Sequence, residues 1–390
     1  MSPDPLPGLI AAYAARIHRA ASGHHVLSPL GAWLLLALVG PAAQGGQREE
    51  LETVLGTDVD TAAGHARSLL AEPHPAVSAA TAYWQRPSVA TPALDAWTRS
   101  LPGATERGDI PSHAEADAWA AHVTHELIRS FPVEITDETV LLLANALATR
   151  ISWSVPFTLT NAADLGTAWG PGVHQVLRSA ATHRAFVADT AAAGRVGVHL
   201  AGSEDGLDVY SVVAGEGVPA GSVLAAAYEV AQHERPLALH ALPLGDGHAW
   251  RLSEREEMVK DLSGREETSY ALVPAWHAET RLDLLNASGL GFGPAVEALY
   301  LLLRPDEYEA DAVQSAVASY TREGFEAAAV TAIGYRRVSA PARRPGTVRA
   351  LEVRFTRPYA VVAVTRSAKP ALWFGLPVFS AWVERADDAT

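Results

Sequence analysis

Apolar residues recur at helical spacing early in the chain and form strand-like runs later. LPGLIAAYAARIHRAA has apolar positions every three or four residues and predicts a first helix. Ser28 and Pro29 are a typical helix start, and VLSPLGAWLLLALVG is apolar on all sides, which predicts a buried helix. GGQREELETVLG predicts a third helix, and AEADAWAAHVTHELIRSF predicts a long amphipathic one.

The strand-like runs begin with TVLLLANALATRISW, which predicts a buried central strand because both of its faces are apolar. Further strands are predicted at VGVHLA, LDVYSVVA, PLALHALPL and TSYALVPAWHAETRLDLL, and others close the chain. No linker, repeat or low-complexity tract divides the sequence. The pattern predicts one α+β domain over residues 1–390, with helices mainly early and strands mainly late.

Composition narrows the choice of partners and compartments. The net charge of −14 argues against nucleic acid or an anionic membrane as a general partner. There are no cysteines, which excludes disulfides, a thiol nucleophile and Cys-ligated zinc. Only Lys260 and Lys369 are lysines, which is typical of a GC-rich genome and favours a bacterial source. No signal-peptide pattern opens the chain, so we expect a cytoplasmic protein, although a trimmed secreted form fits the same sequence.

Motifs that would support catalysis or metal binding are absent from the sequence. His122 and His125 are three residues apart, but neither the His-Glu-x-x-His order of zincins nor its inverse occurs. The sequence also lacks GxSxG and the phosphate-binding GxxxxGK[ST]. Catalysis therefore has little direct support from motifs, although catalytic triads can assemble from distant residues, and we predict no cofactor and no metal.

Four separated stretches, in the correct order, resemble the serpin family. They are HHVLSPLGAWLLLALVGPAAQGGQREELETVLG, TVLLLANALATRISWSVPF, LVPAWHAETRLDLL and REGFEAAAVTAIG. The second stretch carries Asn145, Trp153 and Phe157 where the family has its Asn, Trp and Pro-Phe, and the third has Trp276 in place of a Phe. Residues 158–268 match poorly. The resemblance implies a serpin fold with three β-sheets, about eight or nine helices and an exposed reactive-centre loop at about 322–350.

The fourth stretch resembles the hinge of that loop, and what it implies is a mechanism without catalytic residues. In inhibitory serpins a protease cuts the loop, which then inserts as a strand into the central sheet and distorts the protease. Small side chains suit insertion between packed strands. The hinge implied by the resemblance comprises Gly324, Phe325, Glu326, Ala327, Ala328, Ala329, Val330 and Thr331.

The position of the scissile bond follows from the resemblance only loosely. Counting from the hinge implies cleavage near Val338–Ser339, although the loop is about eight residues longer than usual. Arg337, Arg343 and Arg344 each suit a trypsin-like serine protease with an acidic specificity pocket. The same arginines could instead bind an acidic partner. The expected molecule is a monomeric protease inhibitor.

Departures from the family pattern keep a second function open. Phe325 replaces a small Thr or Ser on the face that must be buried, and Arg322 stands where a Glu is expected. In the sheet-opening region Ser28, Asn145 and Trp153 remain, whereas Gly31 replaces a Ser and Gln314 replaces a His. The alternative is a non-inhibitory scaffold, either a binding protein or an enzyme with a new pocket. Candidate pocket residues from the poorly matching middle are His174, His183, His199, Glu204 and Asp205.

Overall fold

A computed structural model describes residues 5–166, 169–246, 249–259, 261, 263–303, 309–325, 344–366 and 371–390. Within these ranges helices dominate the first third of the chain and strands dominate the rest, which confirms the predicted α+β class. The described residues form eight α-helices: α1 (Leu6–Ala20), α2 (Pro29–Val39), α3 (Gly45–Leu55), α4 (Val59–Ala71), α5 (Pro92–Thr98), α6 (His113–Val123), α7 (Ala220–Gln232) and α8 (Phe292–Tyr300).

Helix α2 shows how local sequence and burial act together. The Ser28 hydroxyl accepts a hydrogen bond from the Gly31 amide at 3.1 Å, and Pro29 occupies the first helical position, where no amide hydrogen is needed. The helix is apolar on all sides and buried almost throughout, as predicted, with Trp33 fully enclosed. None of the described helices is long and apolar enough to cross a membrane.

The described residues also form nineteen strands and five short 3-10 helices. The strands are β1 (His25–Leu27), β2 (Ser78–Gln85), β3 (Glu106–Gly108), β4 (Leu141–Ala148), β5 (Ile151–Ser152), β6 (Thr158–Asn161), β7 (Gln175–Arg178), β8 (Arg184–Thr190), β9 (Gly194–Gly202), β10 (Leu207–Val213), β11 (Gly245–Asp246), β12 (Trp250–Val259), β13 (Arg265–Val273), β14 (Trp276–Asp283), β15 (Val313–Tyr320), β16 (Gly324–Phe325), β17 (Arg344–Arg354), β18 (Tyr359–Thr365) and β19 (Pro377–Val383).

The described strands form four sheets. Two have six strands, in the orders β1-β19-β18-β10-β9-β8 and β11-β12-β17-β13-β7-β6. The third has the order β14-β15-β16-β5, and the fourth has the order β3-β2-β4. Several strands that are adjacent in a sheet lie far apart in the sequence, for example β12 and β17. These sheets therefore depend on long-range pairing.

Three predicted elements differ from the structure. The helix predicted over AEADAWAAHVTHELIRSF ends at Val123, because His125 and Glu126 adopt positive φ angles of 54° and 67°. The strand predicted over residues 139–153 is interrupted at Thr149 and Arg150, and its first part, β4, lies at the edge of a three-stranded sheet among the described strands. PLALHALPL forms a short 3-10 turn rather than a strand, since prolines at both ends cannot donate to a ladder.

The chain divides into two compact units. The first comprises Met1–Thr149, Ala278–Ala318 and Ala363–Ser380, and it contains seven of the eight described α-helices, all except α7. The second comprises Arg150–His277, Ser319–Val362 and Ala381–Thr390. It holds the whole of the sheet from β11 to β6. The prediction of a single domain stays a prediction.

Strand β17 contains residues 344–350, the last part of the loop predicted at about 322–350, and it has partners on both of its edges. It pairs antiparallel with β12 from Val353 opposite Trp250 to Arg344 opposite Val259. It also pairs parallel with β13. At Gly346 a Cβ atom would lie 2.3 Å from the Gly264 carbonyl oxygen, so this close approach requires glycine. The C-terminal end of the loop is therefore fixed within a sheet.

Candidate functional site: the loop root and the polar cluster

The predicted hinge begins inside a sheet. We call residues 320–325 the loop root: Tyr320 ends β15, the chain turns, and Gly324 and Phe325 form β16. Phe325 lies opposite Tyr320 on one side and opposite Ile151 on the other. The turn is closed by the Thr321 amide, which donates to the Gly324 carbonyl at 3.0 Å. The first two hinge residues are thus already paired with strands on both edges.

The ring of Phe325 is buried and packed within this sheet. Its side chain is only 3% exposed and meets the Trp276 ring edge-on, with ring centroids 6.3 Å apart. Trp276 stacks on Tyr320 with an interplanar angle of 18°. The sequence suggested that a large ring here could obstruct insertion. The structure places the ring in an aromatic pocket that β14 and β15 provide.

The segment that follows β5 holds the other side of the loop root. The Trp153 indole nitrogen donates to the Thr321 carbonyl, and the Trp153 amide donates to the Glu323 carbonyl, both at 3.0 Å. The Phe157 amide donates to the Arg322 carbonyl at 3.0 Å, and the Arg322 side chain returns a bond to the Phe157 carbonyl at 3.3 Å. Arg322, the unexpected basic residue, therefore helps to hold the root.

A line of hydrogen bonds runs beneath the root, and we call it the imidazole chain: His183, His199 and the Tyr320 hydroxyl. His183 Nε2 lies 2.7 Å from the Val155 carbonyl oxygen, and His183 Nδ1 lies 3.2 Å from His199 Nε2. His199 Nδ1 lies 3.3 Å from the Tyr320 hydroxyl. The Phe157 ring packs against both imidazoles, with centroids 4.7 and 5.4 Å away.

Burial disfavours the charged form of both histidines. Burial lowers the pKa of His183, although its bond to the Val155 carbonyl opposes the shift. His199 is fully buried, and burial together with the neighbouring His183 places its pKa well below the usual range. Both imidazoles are therefore neutral at pH 7.

Four of the five predicted sheet-opening residues form a separate group, which we call the polar cluster: Ser28, Gly31, Asn145 and Gln314. The fifth, Trp153, lies at the loop root instead. Gln314 exchanges two hydrogen bonds with the Ser28 backbone, accepting from its amide at 3.1 Å and donating to its carbonyl at 2.9 Å. The Ser28 hydroxyl donates to the Val378 carbonyl at 3.0 Å. Gln314, where the family has His, therefore bridges to the start of α2.

Asn145 leaves an acceptor unused within the polar cluster. Its amide nitrogen donates to the Ala80 carbonyl at 3.2 Å. Its Oδ1 atom is buried and has no hydrogen-bond partner among the described residues. A Cβ atom on Gly31 would lie 3.5 Å from that oxygen and 3.1 Å from the Ser28 hydroxyl. The free acceptor thus faces the position where the family has Ser.

We expect Gly31→Ser to raise the free energy of unfolding by about 1–2 kcal/mol. Glycine within a helix costs about 0.5–1 kcal/mol relative to alanine, and a new hydroxyl bond to Asn145 Oδ1 adds about 1 kcal/mol. Gly31→Ala supplies only the helix contribution and is the matched control. Urea unfolding of the three proteins measures the difference, and a serine variant less stable than the alanine variant would contradict the assignment.

The other predicted site residues are scattered or lie outside the described residues. Outside them are Glu326, Ala327, Ala328, Ala329, Val330, Thr331, Arg337, Val338, Ser339 and Arg343. Arg344 is exposed and begins the β17 ladder. Of the candidate enzyme residues, only His183 and His199 come together, whereas His174, Glu204 and Asp205 are exposed.

The described residues also show whether this part of the chain contains a metal-binding group. No group of three or more His, Asp and Glu side chains in this part of the chain is placed to hold a metal ion. His122 and His125 do not share a helix face, because the helix ends between them, and His125 bonds the Ser78 hydroxyl at 2.7 Å.

Sequence reasoning missed Tyr320 as a member of the site. Tyr320, Ala318 and Ala316 are buried at alternate positions of β15, so the period-two pattern was present in the sequence. What that pattern could not reveal is that the Tyr320 hydroxyl contacts His199 on β9, which in turn contacts His183, the residue before β8.

Comparison with known proteins identifies the fold. No family model and no curated protein matches the sequence. Solved structures match over nearly the whole chain. A serpin of the insect Tenebrio molitor is 15% identical with a TM-score of 0.62, covering 98% of both chains. Human thyroxine-binding globulin complexed with thyroxine is 14% identical with a TM-score of 0.62, covering 98% of this chain and 99% of its own.

The thermophilic serpin tengpin matches in two states. Its native structure is 12% identical with a TM-score of 0.65, covering 96% of this chain and 93% of its own. Its latent structure is 11% identical with a TM-score of 0.64, covering 97% and 96%. At such low identity these likenesses show the fold alone, and the similar scores of the two tengpin structures do not distinguish the states.

Proposed function

We propose that this chain, which has the serpin fold, is a serpin that inhibits a serine protease by loop cleavage and strand insertion. The protease serine attacks the scissile carbonyl and forms an ester, and the segment that begins with the new amino terminus is the leaving group. The freed N-terminal part of the loop then adds to the sheet before water hydrolyses the ester. The observation that carries the proposal is the double pairing of β16, which already lies between β15 and β5.

The register of β16 supports this reading because it can be extended along β15. Phe325 opposite Tyr320 implies Ala327 opposite Ala318, Ala329 opposite Ala316 and Thr331 opposite Gln314. Small residues thus meet small residues, and Ala316 and Ala318 are buried. Thr331 would come to Gln314 in the polar cluster, where Asn145 Oδ1 lacks a partner. Continued insertion is therefore sterically and chemically compatible with the existing sheet.

Phe325 does not argue against insertion in this proposal. The obstacle would be a large ring that has to be forced between packed strands. Here the ring is already buried against Trp276, so the strand that inserts after cleavage grows from a residue already in place.

The proposed target is a trypsin-like protease acting on a monomeric inhibitor. Arg336, Arg337, Arg343 and Arg344 supply basic side chains for an acidic specificity pocket. Arg344 is the least suitable of them, because it pairs with Val259 and would have to leave β17 to reach an active site. We therefore propose that cleavage occurs at Arg337 or Arg343, or nearby at Val338–Ser339.

The test is to mix the protein with trypsin at several molar ratios and to look for a covalent complex that survives denaturing electrophoresis. We expect a band at the summed mass of trypsin and the cleaved inhibitor, together with loss of trypsin activity. Ala329→Glu is the matched control, because its loop is still cut but insertion would bury a carboxylate. Complete cleavage of the wild type without a complex would favour the alternative, a non-inhibitory binding protein.

A further inference from the structure

The imidazole chain has a defined direction. A carbonyl oxygen can only accept, so His183 Nε2 carries the hydrogen that is donated to Val155. In the neutral ring His183 Nδ1 then accepts from His199 Nε2, and His199 Nδ1 accepts from the Tyr320 hydroxyl. Each acceptor nitrogen is occupied by one donor. With both rings neutral, the chain runs in one direction, from the Tyr320 hydroxyl to the Val155 carbonyl.

An added proton reverses the direction of this chain. A proton on His183 Nδ1 would face the hydrogen on His199 Nε2 across 3.2 Å, which sets two donors against each other. If His199 responded by moving its hydrogen to Nδ1, the Tyr320 oxygen would accept it, and the Tyr320 hydrogen would have to turn from His199 toward Ser211. Tyr320 is the residue that pairs with Phe325. Protonation of His183 therefore changes the hydrogen bonding of Tyr320, which belongs to the loop root.

We propose that protonation of the His183–His199 pair loosens the loop root, so that mild acid promotes release of β16 from its two neighbouring strands. As a regulation of inhibition, this proposal rests on the proposed function, because it assumes that the root belongs to an inhibitory loop. The opening itself is a property of the uncut protein and is measured without a protease. Burial lowers the pKa of both histidines, and opening of the root returns the pKa of His183 toward its ordinary value, so the open form binds one more proton.

The charged groups around the pair do not offset this effect. No carboxylate contacts either imidazole among the described residues, and the titratable partner on β15 is Tyr320. Arg322, on the root, is bound to the Phe157 carbonyl and Glu323. Arg184, next to His183 in the chain, is paired with Glu234 at 2.6 Å. Tyr359, another buried neighbour of Tyr320, has its pKa raised and stays neutral.

The experiment is hydrogen exchange on the intact protein at pH 7.5 and pH 5.5, corrected for the intrinsic pH dependence of exchange. The reporters are the amides of Trp153, Phe157 and Thr321, which donate to carbonyls of the root. Release of one histidine to a pKa of about 6.5 predicts a protection factor about tenfold lower at pH 5.5. Peptides from the β12–β17 ladder serve as the internal reference and should not change.

His183→Gln is the decisive variant, because glutamine can donate to Val155 and accept from His199 but does not titrate. We expect its root to lose less than twofold protection over the same pH range, whereas the exposed control His240→Gln keeps the tenfold loss. His199→Gln tests the same link if the first variant folds poorly. A wild type without pH dependence, or a glutamine variant with the full tenfold loss, overturns the proposal.

Discussion

Cutting the loop between residues 326 and 343 with a low dose of a metalloprotease, which forms no acyl ester and is not trapped, should raise the melting temperature by about 10–20 °C. An inserted strand gains about ten ladder hydrogen bonds, each worth about 1 kcal/mol net. For 390 residues the unfolding entropy is about 0.8 kcal/mol per kelvin, so about 10 kcal/mol corresponds to about 12 °C. Burial of apolar side chains adds to this gain. Thermal unfolding of the intact and nicked proteins measures it.

The control for this shift is a loop that is cut but cannot insert. Ala329→Glu places a carboxylate on the face shared with Phe325, and burying it without a partner costs several kcal/mol. The nicked variant should melt within about 2 °C of its intact form. If the nicked wild type also melts where the intact protein does, insertion fails and the inhibitory mechanism falls with it.

Phe325→Asp should release the loop root and lower amide protection there by at least about a hundredfold. Truncating a buried Phe costs about 3–5 kcal/mol, and the aspartate adds an unpaired charge against Trp276. A loss of about 3 kcal/mol corresponds to a factor of about 160 in the opening equilibrium. Hydrogen exchange of Trp153, Phe157 and Thr321 reports it directly, since these amides bond to root carbonyls.

Phe325→Leu separates the effect of charge from that of ring size. Leucine keeps the position apolar, so its loss of protection should be much smaller than that of the aspartate variant. Both variants should leave the distant β12–β17 ladder protected. Equal protection in wild type and Phe325→Asp would mean that β16 is not paired in solution, and the register argument for insertion would lose its basis.

Patterns of apolar residues were sufficient to predict α1, α2 and α3, because burial and capping are encoded within each segment. Ser28 and Pro29 start α2 where the sequence predicted a start. The helix predicted to run to Phe131 instead ends at Val123, since the Thr124 hydroxyl bonds the Ala120 carbonyl at 2.6 Å and the chain turns. Such a side-chain bond competes with the helix and leaves little trace in hydrophobic periodicity.

The site was predicted less completely, because its contacts join distant segments. The sequence shows that Phe325 is a large residue in the predicted hinge. Its buried position depends on contacts with Trp276 and Tyr320, and these residues are brought together only by the pairing of β14, β15 and β16. His183 and His199 were candidates for a new enzyme pocket. The β8–β9 register, with Ala185 opposite His199, makes them neighbours beneath the loop root instead. Their sequence spacing alone does not contain that register.

The position of β12 bears on self-association. Because β12 covers one edge of β17 and β13 covers the other, the strand after the loop offers no unpaired edge to another chain. The outer edge of β12 from Ser253 onward has no neighbour among the described strands, and it carries Glu254, Arg255, Glu256 and Glu257. Charged side chains on an edge strand discourage docking of further strands. This edge of the sheet therefore opposes strand-to-strand association between copies of the chain at high concentration.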